Sequence, residues 1–447
     1  MVADSAGTEA LERSYRILSG DDSDERACEA IPDSACTNLP RNYLLNVANG
    51  SCTKLAEQLA GPNLVLPWLL AALGTPASVT GWLMPVKQVF SLAPQLAVSG
   101  RIRRVPERRR VWTGAGLSQA AALLAMAAAA LWLPPLEAGL AVLVLLAVFS
   151  AASGAGSVAF QDVMGKTVPK GRRGRLLSNR AFIGGALTVG AGLGLQYQLG
   201  TEAPIPVYIG LLLGAAGLWA LAALLFTAVR EAPGATEGGR SPLAELGAGW
   251  ALVRSQPGYR RFLVVRALLL SVEIGMPFYV LHGRAVSDGA VLALGVFMLA
   301  VGAGNVLSSP VWGRFSDRSS RQVLEISGLL AAAIALLALG LGELAGSQWA
   351  AWMYAPVFVL LGIAEQGVRL GRKTYLVDAA PKDQRPLYTA FANTSVGLLA
   401  LLGGGLGFLA QWLAPEAAVV ALGLLGLAGA LAARLLPEAS EMLDFRP

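Results

Sequence analysis

The stretch "RFLVVRALLLSVEIGMPFYVLHG", residues Arg261–Gly283, is apolar over the length of a bilayer crossing, yet it carries Arg266 and Glu273. An α-helix needs about 20 apolar residues to cross the hydrocarbon, and a charge at the bilayer centre costs about 2.5–3.5 kcal/mol on insertion scales. Arg266 and Glu273 stand two helical turns apart, on one face, with about 10 Å of rise between them, too far for a direct pair on an undistorted helix. Each is therefore expected to face water, a ligand or a partner on another helix.

The rest of the chain repeats this composition. Of 447 residues, 55% are hydrophobic and 14% charged, where soluble domains carry about 25% charged residues; the mean hydropathy is +0.56. Twelve apolar runs are read, at 44–73, 78–100, 111–133, 139–161, 180–200, 206–229, 261–282, 289–312, 322–343, 349–370, 387–411 and 415–436. None shows the period-2 alternation of a transmembrane barrel. The expected fold is an all-α membrane protein, with twelve transmembrane helices forming two pseudo-symmetric six-helix bundles. Its expected parts are a cytoplasmic tail (1–41), an N-terminal bundle (42–229), a cytoplasmic linker (230–260), a C-terminal bundle (261–436) and a C-terminal tail (437–447).

Charge supports this arrangement independently. With both termini in the cytoplasm, 31 of the 35 Lys and Arg residues fall in the tails and cytoplasmic segments, including 162–180 and 369–385; Arg284 alone falls outside, and Lys54, Lys87 and Arg266 lie within spans. Basic short loops stay in the cytoplasm. The net charge of +6 is thus assigned to loops beside anionic lipid, not to nucleic acid. Cys28, Cys36 and Cys52 fit no zinc spacing, and an odd number on the cytoplasmic side argues against a disulfide framework. The polar first 40 residues lack a signal-peptide pattern and hold a short helix near "TEALERSYRILS".

The two halves echo each other at offsets of about 210–214 residues. "LVLPWLLAALG" with Pro67 matches "IGMPFYVLHG" with Pro277, and both prolines are expected to bend their helices. "TVPKGRRGRL" matches "AAPKDQRPLY", sharing Arg173 and Arg385. Basic loops "SGRIRRVPERRR" and "WGRFSDRSSRQ" follow the second helix of each half. Repeats of this kind build transporters that rock about a midplane site.

"GRFSDRSSRQ", Gly313–Gln322, is similar to the Gly-x-x-x-Asp-Arg-x-x-Arg loop of the major facilitator superfamily, and the chain resembles a bacterial member over residues 42–436. The resemblance implies that Gly313, Asp317, Arg318 and Arg321 form a cytoplasmic gate, and that helices 1, 4, 7 and 10 line a central cavity. It also implies a monomer in the bacterial inner membrane. In the first half, Arg103 replaces the motif's Asp. "FSAASGAGSVAF" keeps the glycines of an exporter motif but has Ser150 at its arginine.

Glu57, Lys87, Arg266, Glu273 and Glu365 are the expected cavity residues, binding substrate or protons, with Lys87 and Arg266 as counter-ions. Burial raises a carboxylate's pKa and a nearby cation lowers it, the basis of a proton carrier. Lys54 and Arg369 fit snorkelling cations equally well, and Glu57 with Lys87 fits a structural salt bridge. His282, at an outer helix end, is read as an interface residue. The expected activity is alternating-access transport of a small organic solute, charged or zwitterionic, coupled to protons. The competing reading is a transport-dead relative acting as a membrane receptor or assembly partner. Uptake and export stay open. No metal-ligand cluster, nucleotide-binding motif or nucleophile–base pair is found, so no cofactor and no enzyme activity is expected; membrane lipid is the other partner.

Overall fold

The structure is a computed structural model describing residues 2–19, 31, 33–102, 105–169, 172–198, 204–233, 242–287, 291–344, 349–381 and 384–442. Every regular element among them is helical. In chain order these are α1 (Val2–Ser19), α2 (Asp33–Thr37), α3 (Leu39–Leu59), α4 (Val65–Ala72), α5 (Ala77–Gly81), α6 (Leu83–Ile102), α7 (Arg108–Trp132), α8 (Pro135–Thr167) and α9 (Arg173–Gln198). They continue with α10 (Ile205–Thr227), α11 (Pro242–Ser255), α12 (Pro257–Val286), α13 (Val291–Arg318), α14 (Ser320–Gly340), α15 (Ala350–Ala379), α16 (Arg385–Leu399), α17 (Gly405–Trp412) and α18 (Pro415–Arg434). By length and composition, eight stretches among the described residues can cross a membrane: α7, α8, α10, α12, α14, α18, Ala350–Leu376 within α15, and Leu387–Trp412 through α16 and α17.

Local chemistry sets the helix ends. Proline sits in the first turn of α8, α10, α12, α16 and α18, where its missing N–H loses nothing and its fixed φ suits the helix. The Ser319 side chain caps α14 by accepting from the backbone N–H of Gln322 at 3.2 Å. In the first half, α7 packs on α8 and α10, α6 on α8, and α3 on α9 and α10. In the second, α13 packs on α15, α14 on α15 and α18, and α12 on α18. The halves meet where α9 touches α13, α6 touches α16, α4 touches α12 and α5 touches α17.

Several sequence expectations change. The first span is broken at residues 60–64, ahead of Pro67, which sits in the first turn of α4; Pro277 lies inside the continuous α12. The linker contains α11, whose Leu246, Leu252 and Val253 pack against the core. These recur at helical spacing, a signal hidden among the surrounding Gly and Pro. The tail helix α1 is longer than read, and it is docked. Tyr15 meets Tyr43 edge-on at 5.3 Å, while the Leu18 carbonyl accepts from Asn179 Nδ2 at 2.7 Å and the Ser19 carbonyl from Arg172 at 3.1 Å. Cys36 is disulfide-bonded and Cys52 is free, where the odd cysteine count argues against a disulfide framework. Spacing and compartment arguments do not see proximity. Cys28 lies outside the described residues.

Two acidic residues anchor helix starts at the end that carries the basic segments. Glu231, just past α10, accepts from the backbone N–H groups of Arg108 and Arg109 at 3.2 and 2.8 Å and from Lys166 Nζ at 2.9 Å. It thereby caps α7, whose own N-cap residue makes no side-chain cap. Asp162 joins Arg108 at 2.9 Å and Lys166 at 2.7 Å. Just past α18, Glu438 bonds Ser319 Oγ at 3.0 Å and Arg321 Nε at 2.7 Å, at the start of α14. The Glu231 side chain is fully buried, so removing it strands two backbone donors and a partly buried ammonium. Glu231→Ala should destabilise the protein by about 2–4 kcal/mol, seen as a lower melting temperature of the purified chain. Lys166→Ala alone should cost less, since Glu231 keeps its backbone donors.

Candidate functional site

Between the two halves, α3, α6 and α9 face α12, α15 and α16 across a belt of charge. Lys54 Nζ lies 2.8 Å from Glu57 on α3. Arg369 lies 2.6 Å from Glu365 on α15. Glu273 on α12 is held by Arg372 of α15 at 3.2 Å, an ion pair in which Arg372 Nε makes no well-aligned hydrogen bond. Arg266 Nη2 reaches Asn393 Oδ1 of α16 at 3.2 Å. As helix geometry required, Arg266 and Glu273 each take a partner on another helix.

The belt is one electrostatic unit. Lys87 lies within electrostatic reach of both Glu57 and Glu365, and Arg369 within reach of Glu57 and Glu273. Lys373 reaches Glu273 from its own half and Lys54 from the other, and Arg180 of α9 lies within electrostatic reach of Glu57. The side chains of Lys54, Glu57 and Arg369 remain 48%, 42% and 44% accessible although they face one another across the gap. The space between the halves is therefore open rather than packed.

All five expected cavity residues fall in this belt, with different partners. Glu57 pairs with Lys54, not Lys87. The counter-ion of Glu273 is Arg372, not Arg266 or Lys87. Arg372, Lys373 and Arg180 were missed because the apolar windows stopped at 370 and began at 180, so all three were counted with the basic segments. The helices run well beyond those windows, to Ala379 in α15 and from Arg173 in α9. An apolar window records hydrocarbon thickness, while long cationic side chains reach inward from beyond it.

At the opposite end from the basic segments the halves are sealed. The Ser78 backbone N–H donates to Gln411 Oε1 at 3.2 Å, and Gly81 lies against Gly407 so closely that a Cβ on Gly407 would sit 3.0 Å from Gly81 Cα and 2.8 Å from the Ser78 carbonyl oxygen. Below this seal Trp68 packs on Phe297 at 6.4 Å, with the Arg284 guanidinium 5.6 Å from the Trp68 ring. His282 is buried rather than interfacial, its Nδ1 2.8 Å from the Tyr354 hydroxyl and its Nε2 3.5 Å from Glu416.

Of the expected gate residues, Arg321 is bound to Glu438 and to the Arg434 carbonyl at 3.1 Å, both in its own half, and Arg318 is exposed. Gly313 and Asp317 lie within α13, but the Asp317 side chain falls outside the described residues. Arg103 lies outside them altogether. Ser150 is buried with its hydroxyl unpartnered. Among the described residues no group of His, Cys, Asp and Glu could hold a metal ion.

The Major Facilitator Superfamily profile matches residues 49–364 and 292–443. Uncharacterized proteins of Mycobacterium tuberculosis and Mycobacterium bovis are each 31% identical to this chain over 387 residues, covering 84% of it and 73% of their own length. Among solved structures, the nucleoside transporter NupG superposes with a TM-score of 0.66 at 12% identity, covering 88% of this chain and 99% of its own. A POT family transporter in complex with 5-aminolevulinic acid gives 0.66 at 15% identity, with 88% and 95% covered. The inward-open xylose transporter XylE from E. coli gives 0.66 at 14%, with 90% and 98% covered. At these identities the structures share the fold.

The glycine seal yields a direct test. Gly407→Leu has no room against α5 and should part the two tips. Maleimide labelling of a Ser78→Cys variant, slow on its own, is expected to speed up severalfold when Gly407→Leu is added; an unchanged rate would show that the tips are not in contact.

Proposed function

The chain belongs to the major facilitator superfamily, and from that premise we propose that it is a proton-coupled secondary transporter carrying a small charged or zwitterionic organic solute by alternating access. Twelve membrane-crossing stretches form two six-helix bundles around the charge belt, with both termini in the cytoplasm of a bacterial inner membrane. The basic end is then cytoplasmic, the Gly81–Gly407 seal is external, and the cavity faces inward. One observation carries the reading: ionisable side chains from both halves meet in an open space that is closed at one end.

The belt supplies the chemistry. A carboxylate within a narrow cavity exchanges its proton according to its solvation and its cation partner. Glu273 is held by Arg372 without an aligned hydrogen bond, so protonating it frees Arg372 at little cost in hydrogen bonding. Loading a proton on Glu273 and seating solute against the released cation are thereby coupled. Glu57 and Glu365 hold Lys54 and Arg369 in place, while Lys87 and Arg266 contact the solute. In the outward-facing state the segment with Gly313, Asp317, Arg318 and Arg321 closes the cytoplasmic end. For Arg321 that means leaving Glu438.

The test is flux through the purified chain in liposomes loaded with a pH-reporting dye, with sugars, nucleosides, amino acids, dipeptides and organic acids added outside. Solute-dependent proton movement is expected for at least one class. Glu273→Gln should cut it by at least about tenfold while leaving solute counterflow in place. Undiminished proton-driven flux in that variant would remove Glu273 as the carrier. Binding without any flux would favour a receptor-like relative.

A further inference from the structure

The charge belt does not balance. Each of its carboxylates already has a close cation: Glu57 has Lys54, Glu365 has Arg369 and Glu273 has Arg372. Removing these pairs leaves Lys87 and Arg180 from the first half, and Arg266 and Lys373 from the second. None of these has a carboxylate within ion-pair distance among the described residues; Arg266 has only the Asn393 amide. The belt therefore holds a surplus of positive charge on both sides of one open gap. A membrane interior tolerates such a surplus only with a compensating charge or water nearby.

Arg180 shows where the compensating group would sit. Its guanidinium carbon lies 4.1 Å from the centroid of the Phe160 ring of α8. Its stem rests on Gly50 of α3, where any Cβ would overlap the arginine side chain. Its Nη2 is only loosely bonded, 3.5 Å from Asn49 Oδ1, and Asn49 is itself pinned because its Nδ2 donates to the Ala222 carbonyl of α10 at 2.9 Å. The other terminal nitrogen, Nη1, is buried with no hydrogen-bond partner. A ring, a glycine floor and a fixed amide thus hold a guanidinium whose donors are largely unused. The planar fork of Arg matches a carboxylate or phosphate with two parallel bonds.

We propose that the transported solute is an organic anion, with a carboxylate or phosphate group seated on Arg180, beside Lys87 of the same half, and its remaining negative charge met across the gap by Arg266 and Lys373. This rests on the transporter reading above and narrows its substrate class. A cationic solute would have to displace Lys54, Arg369 or Arg372 from an existing pair, whereas an anion fills vacant donors. Because it bridges cations of both halves, it also draws them together as the cavity occludes.

The test is thermal unfolding of the full-length protein in detergent at constant ionic strength. The probes are succinate, citrate and glycerol 3-phosphate, with succinamide, glycerol and putrescine as uncharged and cationic counterparts. At least one anion is expected to raise the melting temperature by several degrees, and the counterparts to leave it unmoved. Arg180→Gln should weaken that anion at least about tenfold, and Arg180→Lys, which keeps the charge and loses the fork, should recover part of the loss. Ligand-free melting of both variants checks their folding. The inference is overturned if no anion stabilises the protein, if the uncharged or cationic counterparts do so equally, or if Arg180→Gln binds the anion as the parent does. Repeating the measurement with phosphatidylglycerol separates the sources: Arg180-dependent stabilisation by the lipid that blocks the soluble anions would assign the site to a headgroup and overturn a transported anion. Flux of an uncharged or cationic solute without anion stabilisation would sink only this inference; anion stabilisation without counterflow would sink only transport.

Discussion

A charge inside a lipid-embedded bundle has to find its counter-charge in the protein or in enclosed water, and most of the interior of this molecule follows from that need. Single helices cannot meet it here, because Arg266 and Glu273 share one helix face yet lie too far apart to pair. Neighbouring helices do. Arg372 of α15 takes Glu273 and Asn393 of α16 takes Arg266, so the charges of α12 tie three helices of one half together. Where pairing along a helix is possible, at Lys54–Glu57 and Glu365–Arg369, the side chains of Lys54, Glu57 and Arg369 stay accessible and line the gap.

The two ends of the molecule are held by different physics. At the basic end the contacts are ionic and lie within each half: Glu231 gathers the start of α7 and Lys166, and Glu438 gathers Ser319 and Arg321. Such contacts keep each half rigid without joining one to the other. At the other end the halves touch through backbone and glycine, at Gly81 and Gly407, with the Ser78–Gln411 hydrogen bond beside them. Aromatic side chains join that contact, with Trp82 against Gly404 and Trp68 on Phe297.

The helical, membrane-crossing character was legible because hydrocarbon imposes one composition rule on every lipid-facing position. The membership of the belt was legible for Glu57, Lys87, Arg266, Glu273 and Glu365, since each interrupts an apolar run. Arg180, Arg372 and Lys373 interrupt nothing. They stand in segments that are basic anyway, Arg180 at the edge of its apolar window, and Arg372 and Lys373 on the extension of α15 beyond its own. Polar residues on α3 went unread for a related reason. Asn42 and Asn49 are buried against backbone groups of Arg230 and Ala222, partners more than 170 residues away in the chain.

Composition and the spacing of charges alone determined that this chain is a helical membrane protein with ionisable groups inside it, because burial in lipid acts on each residue independently of its distant neighbours. Tertiary structure alone decided which cation neutralises which carboxylate, which cations are left over, and which end is shut. Those outcomes depend on distances of a few ångströms between residues far apart in the chain, and Coulomb and hydrogen-bond energies fall away over that same scale.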